Sequence, residues 1–262
     1  MKRSRFPFIV TGLVLVFFYL PILILVVDSF NASRFGGAWR GFSLKWYVRL
    51  FHEPAIWTAA RNTLVIALIV TLVSLLLGTT SALALHRFSK SRFQRVHYTL
   101  IYTPLVVPEI LMGISLLMAF VAAGVKLGMG TIILAHVTFC ISYVALVVLG
   151  RLQDFDFTVV EAARDLGATG WTATRRVLLP MLAPGLAAAG LIAFTLSVDD
   201  FVITFFVAGP GSTTLPIRVY SMIKHGATPL INALSTLLLA LTFTTVLVSQ
   251  RLSKSGALEG GQ

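Results

Sequence analysis

The sequence predicts an all-α integral membrane protein, a single domain over residues 1–262 with six transmembrane helices. Of its 262 residues, 57% are apolar and only 12% are charged, whereas about 25% is usual in a soluble domain. Six apolar runs also have the length, about 20 residues, that a helix needs to cross a bilayer core of about 30 Å. The runs are residues 6–27, 63–85, 98–123, 131–150, 183–208 and 231–250.

Composition excludes several classes of protein. A mean hydropathy of +0.89 leaves too little polar surface for a soluble enzyme, and it also excludes a disordered chain. Cys140 is the single cysteine, so an internal disulfide is excluded and redox chemistry is not expected. We expect Cys140 to pack as a small apolar residue.

The first apolar run is predicted to be a retained span. It follows Lys2, Arg3 and Arg5, as the apolar part of a signal peptide would. Residues 6–27 are longer than the roughly 7–15 residues of a signal peptide's apolar part, and no Ala-x-Ala cleavage site follows.

Basic residues predict the orientation. The N-terminus and the short loop 86–97 are rich in Lys and Arg, which marks cytoplasmic segments. Six spans then place both termini and residues 151–182 in the cytoplasm and residues 28–62 outside. The outer segment also contains basic residues, at lower density because it is longer. The predicted location is a cell membrane.

The segment 151–182, called here the coupling loop, is predicted to fold as two helices on the membrane surface. Thr158 and Glu161 fit a capping box, which begins a helix. Gly167 supplies the positive φ that ends one. Thr169 is placed to cap a second helix, predicted to run from residue 170 to 179.

The loop resembles the EAA motif of ABC importer permeases, EAA-x3-G-x9-I-x-LP. Only the Ile position departs from the pattern, conservatively. The matching residues are Glu161, Ala162, Ala163, Gly167, Val177, Leu179 and Pro180.

The resemblance implies a type I ABC importer permease in which Glu161, Ala162, Ala163 and Gly167 couple the membrane helices to an ATPase. The implied partners are a second homologous permease, an ATPase dimer, a periplasmic or extracellular solute-binding protein and the membrane lipid. No nucleic-acid partner is expected. Because the chain has no GxxxxGK[ST] P-loop, we expect no cofactor in it and no enzymatic activity, with ATP and Mg on the ATPase.

Three carboxylates within the predicted spans are candidate substrate-pathway residues: Glu109, Asp199 and Asp200. Ionisable groups in a span are costly and usually face a cavity or a partner. With no Lys or Arg inside the spans, they favour a cationic solute. Pro104 and Pro108 predict a kink or an unwound turn beside Glu109.

The two aspartates are predicted to diverge by about 100°, as adjacent residues of a continuous helix do. Either one faces the pathway and the other a helix contact, or both edge a wide chamber. Four aromatic residues are candidates for cation–π contacts: Phe201, Phe205, Phe206 and Tyr220. We expect His136 to be a packed polar residue, and the histidines show no metal-ligand spacing, so no metal site is predicted.

Residues 199–233 resemble the second permease subunit of spermidine/putrescine importers. This resemblance implies a polyamine substrate. Related permeases for opines, aminoethylphosphonate or amino-acid-like solutes share parts of the stretch, so they stay open. An ion-coupled secondary transporter is a further alternative, but it would not explain the coupling loop, and no inverted repeat is evident.

Overall fold

The computed structural model describes residues 6–34, 38–88, 93–226 and 229–259, with side chains as far as residue 244. Regular structure in these ranges is helical, apart from one bridge between Asn31 and Phe42. The helices are α1 (Phe6–Ser29), α2 (Lys45–Phe51), α3 (Pro54–Arg87), α4 (Gln94–Val106), α5 (Glu109–Ala122), α6 (Met129–Gln153), α7 (Thr158–Asp165), α8 (Gly170–Ala173), α9 (Leu179–Asp199), α10 (Val202–Val207), α11 (Leu215–Lys224) and α12 (Pro229–Glu259).

The described residues divide into two compact units. One is drawn from Met1–Ile56 and Val219–Gln262, and the other is Trp57–Arg218. In the first unit, α1 and α2 each pack against α12. In the segment that follows α1, the backbone carbonyl of Asn31 accepts a hydrogen bond from Trp46 Nε1 at 2.9 Å.

The larger unit has its core around α6, which packs most extensively against α9. Small residues let the helix backbones approach closely, as is usual between membrane helices. A Cβ on Gly78 of α3 would lie 2.6 Å from Cγ1 of Val144 in α6. Cys140 is fully buried in this core, as expected for a small apolar residue.

The third predicted span is broken. Pro104 lies inside α4, and Val107 and Pro108 are extended, with ψ values of 127° and 134°. A residue before proline is forced out of the helical region, which explains the position of the break. Helices α4 and α5 meet there at 111°. The kink or unwound turn that the prolines predict beside Glu109 is confirmed as an unwound break between two helices.

The fifth predicted span, residues 183–208, also differs from expectation. Its helix ends at Asp199, and α10 follows as a separate short helix. At its N-terminal end the helix begins earlier, because α8, a π-helical segment (Thr174–Leu178) and α9 form one helix from Gly170 to Asp199. The second loop helix therefore does not stop at residue 179. The π-helical segment ends two residues before Pro180, where the proline removes a backbone donor.

Four described helices are long and apolar enough to cross a membrane, and there are five if the bent α4–α5 pair is counted as one span. The described apolar part of α12 is Pro229–Thr244, so a sixth span over residues 231–250 stays a prediction. The predicted orientation rests partly on basic residues that lie outside the described ranges: Lys2, Arg3, Arg5, Lys90 and Arg92.

Candidate functional site

The three candidate pathway carboxylates line one cavity of about 260 Å³ in the larger unit, called here the carboxylate cavity. Of the described residues that line it, none is Lys or Arg, so its charged groups are all acidic. The lining residues are Pro104, Glu109, Met112, Phe139, Tyr143, Leu196, Asp199, Asp200, Phe201, Val202 and Ile203.

Glu109 owes its place to the break between α4 and α5. It is the first residue of α5 and is exposed at the cavity. The first turn of a helix has unpaired N–H groups and a partial positive charge, which favour an acidic residue there. The proline break therefore makes Glu109 the first residue of a helix, a position that favours a carboxylate.

Asp199 and Asp200 lie at the second break and have different surroundings. Asp199 is the last residue of α9 and is exposed, whereas Asp200 is extended, with φ −61° and ψ 122°. The side chain of Asp200 is only 6% exposed. The φ of Asp200 is still helical and its ψ is not, so the chain leaves the helix directly after this residue.

Asp200 belongs to a buried hydrogen-bond network. Its Oδ2 accepts a hydrogen bond from the Thr204 backbone N–H at 2.8 Å and one from the Thr204 hydroxyl at 2.7 Å. His136 Nε2 lies 3.1 Å from Oδ2 of Asp200, and His136 Nδ1 lies 2.8 Å from Oγ of Ser197. His136 is fully buried, in agreement with the expected packed polar residue.

The aromatic lining is partly different from the expected one. Phe201 lines the cavity, but the other described aromatic residues around it are Phe139 and Tyr143 of α6. Phe206 packs instead against Gly113, where a Cβ would lie 2.7 Å from its ring. Tyr220 falls in the other unit.

The coupling loop contains α7, all of whose residues are at least partly accessible. Its helix ends in a Schellman turn: Gly167 N–H donates to the Arg164 carbonyl at 2.9 Å, and Ala168 N–H donates to the Ala163 carbonyl at 3.0 Å. Gly167 has φ +88°, a conformation that favours glycine. The predicted glycine stop is thus confirmed.

The prediction of a capping box at the start of α7 was wrong. Thr158 lies inside the helix as its first residue, and no side-chain cap from it or from Glu161 forms. Instead Asp156 Oδ1 accepts the Thr158 backbone N–H at 3.0 Å. This hydrogen bonding lowers the pKa of the Asp156 carboxyl. At the next helix the expected cap is present, because Thr169 Oγ1 accepts the Thr172 N–H at 3.3 Å.

The loop presents its motif residues outward. Glu161, Ala162 and Gly167 are exposed and Ala163 is half-buried. Leu166 and Trp171 are 90% and 70% exposed, more than an apolar side chain at a covered surface would be. A cavity of about 370 Å³ lies between α7 and the end of α3, and Glu161 and Arg164 are among the residues that line it. Beside it, His86 stacks on Phe157 with ring centroids 4.7 Å apart.

The sequence analysis missed three residues of these sites: Phe139, Tyr143 and Asp156. A signal for the first two was present, because His136, Phe139 and Tyr143 are three and four residues apart and so lie along one helix face. For Asp156 the signal was an acidic residue two positions before Thr158, the spacing of an Asx turn.

The fold is that of a multi-span helical membrane protein with two broken spans around an acidic cavity and a helical loop at one end. A family model described as "Binding-protein-dependent transport system inner membrane component" matches residues 74–254, more than half of the chain. The chain therefore belongs to the binding-protein-dependent transport system inner membrane components.

Two relatives from Escherichia coli (strain K12) are similar over most of the chain. The spermidine/putrescine transport system permease protein PotC is 40% identical over 240 residues, covering 91% of this chain and 90% of PotC. The putrescine transport system permease protein PotI is 43% identical over 243 residues, covering 90% of this chain and 86% of PotI.

One solved structure, a bacterial ABC transporter involved in the import of the acidic polysaccharide alginate, has the same fold. Its TM-score is 0.75 at 16% identity, covering 96% of this chain and 98% of the solved one.

Proposed function

We propose that this chain is the transmembrane permease subunit of an ATP-driven importer that carries polyamines of the spermidine and putrescine class into the cell. The observation that carries the proposal is the cavity in which Glu109, Asp199 and Asp200 meet. The two relatives, named as spermidine/putrescine and putrescine permeases, support the same class of substrate.

The chemistry of the cavity suits a cation with apolar segments between its charges. An ammonium group leaves water at low cost only where acidic acceptors replace its hydration. Glu109 and Asp199 supply such acceptors from two different helix ends. Phe139, Tyr143 and Phe201 supply apolar and π surface for the methylene segments and for cation–π contacts.

The path from the coupling loop to the cavity is one helix. Residues Gly170–Asp199 are helical without a break, so the helix reaches about 45 Å at 1.5 Å per residue. It begins three residues after Gly167 and ends at the candidate substrate carboxylate. A displacement of the loop can therefore be transmitted to Asp199 as a movement of a stiff element.

The proposal includes the partners that the family resemblance implies. Glu161, Ala162, Ala163 and Gly167 contact an ATPase dimer, which holds ATP and Mg, while a second homologous permease completes the pathway. A solute-binding protein delivers the substrate from outside. Both termini of this chain are then cytoplasmic, in a bacterial inner membrane.

Uptake by the reconstituted complex tests the proposal. The chain, its second permease, the ATPase and the binding protein are placed in vesicles and offered labelled spermidine, putrescine and 2-aminoethylphosphonate. We expect ATP-dependent uptake of the two polyamines only. Uptake of aminoethylphosphonate alone would contradict the substrate class, and uptake driven by a proton gradient without ATP would contradict the importer class.

A further inference from the structure

We infer that His136 and Asp200 are positioning residues, which fix the break between α9 and α10 and so hold Asp199 in the carboxylate cavity. Of the adjacent aspartates, only Asp199 then contacts the cation. The assignment of this contact rests on the proposed function, whereas the positioning role rests on the geometry alone.

The side chain of Asp200 is already occupied by the protein. Besides its two bonds from Thr204, it accepts the Ile203 backbone N–H through Oδ1 at 3.3 Å. These bonds satisfy the otherwise unpaired N–H groups in the first turn of α10. With 6% of its side chain exposed, Asp200 has little surface left for a substrate.

His136 ties this helix start to the core helix α6. Its Nε2 lies 2.9 Å from the Thr204 hydroxyl oxygen and 3.1 Å from Asp200 Oδ2. Because the Thr204 hydroxyl donates its own proton to Asp200, both neighbours are acceptors, so Nε2 carries a proton and donates. On the other side of the ring, Nδ1 is bonded to Ser197, which lies in the last turn of α9. One imidazole thus joins the helices on both sides of the break.

The far end of α10 is held in the same way. The Thr131 hydroxyl, which lies at the start of α6, donates a hydrogen bond to the Val207 carbonyl oxygen at 2.8 Å. On its other face α10 packs on α5, where Gly113 has no room for a Cβ beside Phe206 and Ile203. Gly113 is one helical turn after Glu109, so α10 also braces the helix that places the second carboxylate.

A positioning role and a charge role predict opposite results for an amide substitution. Asp200→Asn keeps one side-chain oxygen, which can still accept the bonds made to Oδ2 by Thr204 and His136, and it loses the longer bond from the Ile203 N–H; Asp200→Ala can accept none of them. Asn at position 199 has lost the charge that an ammonium requires. We therefore expect Asp200→Asn to retain at least tenfold more polyamine uptake than Asp200→Ala, and Asp199→Asn to lose as much as Asp199→Ala.

A labelling experiment measures the geometry without any substrate. In a Cys140→Ala background, Asp199→Cys presents a thiol at the cavity, and its rate of reaction with a cationic thiol reagent is measured in the full-length protein. We expect His136→Ala to lower this rate at least fivefold and His136→Gln to lower it less. The matched control is His225→Ala, an exposed histidine outside the network, which leaves the rate unchanged.

The results test the positioning role and the substrate proposal separately. Equal losses for Asp200→Asn and Asp200→Ala, or a labelling rate within twofold of the parent in His136→Ala, would overturn the positioning role. If His136→Ala does not accumulate, Ser197→Ala removes one bond of the same imidazole and is read by the same criterion. If the parent takes up no polyamine while labelling responds as expected, the substrate proposal fails and the positioning role stands.

Discussion

The coupling loop and the carboxylate cavity each contain helix ends fixed by hydrogen bonds, but the bonded groups come from different distances along the chain. At the loop, Gly167 and Ala168 donate to carbonyls within five residues. At the cavity, His136 reaches Asp200, 64 residues away. The loop is therefore a local structure that a sequence pattern can encode, and the cavity exists only when α6, α9 and α10 have packed.

The difference also shows in what each region leaves exposed. The loop ends its helix with backbone hydrogen bonds and leaves the apolar side chains of Leu166 and Trp171 exposed. At the cavity, the Asp200 carboxylate is hydrogen-bonded within the protein, whereas Glu109 and Asp199 are exposed. We expect changes in the loop to affect coupling and changes in the cavity to affect substrate recognition.

The largest effect is expected from Gly167→Pro. Proline fixes φ near −65°, whereas this position needs +88°, and the Schellman bond from its N–H is lost. We expect normal membrane insertion and expression but no uptake by the reconstituted transporter. Gly167→Asn is the matched control, because asparagine tolerates positive φ and should retain most activity. Normal uptake by Gly167→Pro would show that the turn has no part in coupling.

Next in size is the loss of charge in the cavity. Asp199→Asn keeps size and hydrogen bonding but removes a charged acceptor, at a cost of about 1–3 kcal/mol in apparent transport, or about 5–150-fold in KM. Glu109→Gln should act in the same direction. The control is Asp28→Asn, a carboxylate outside the cavity, with uptake measured at several spermidine concentrations. Parental KM in both cavity variants would mean that these carboxylates are structural.

A smaller effect is expected from Glu161→Ala. Glu161 is exposed and has no capping role, so its removal should leave α7 folded and weaken only the contact with the ATPase. A lost exposed polar contact is worth about 0.2–1 kcal/mol, or less than tenfold in affinity. Co-purification of the ATPase measures this, with the neighbouring exposed Asp165→Ala as control. A helix that unfolds in Glu161→Ala would restore the capping explanation.

The smallest effect concerns Asp156 and pH. Because its pKa is lowered in the folded state, the stabilisation of α7 is present above the ordinary carboxyl pKa, near 3.9, and is lost as pH falls through the lowered value. A spin label at Leu166→Cys, in a Cys140→Ala background, should become more mobile below about pH 4. With Asp156→Asn added, this pH response should disappear. An unchanged response in that variant would assign the transition to another group.

The sequence by itself determined the helical membrane class, the family pattern of the loop, the glycine turn at Gly167 and the identity of the three carboxylates. These follow from composition and from contacts within a few residues, which a linear pattern records. The sequence also located the helix break near Pro104 and Pro108, because proline restricts its own backbone and that of the residue before it. The start of α7 was misread, since an acceptor from Asp156 and one from Thr158 give nearly the same local pattern.

Only the tertiary structure decided that α9 ends at Asp199, that Asp200 turns inward to His136, and that Tyr143 joins the cavity lining. Each depends on which helix faces are in contact. The second break has no proline at Asp200, so the sequence showed a continuous apolar run there. The helix ends at that point where bonds from His136 of α6 and from the first turn of α10 replace the intrahelical bonds that are lost. The bond from Thr204 is local, four residues along the chain, but the bond to His136 joins residues 64 apart and forms only when α6 has packed against this break.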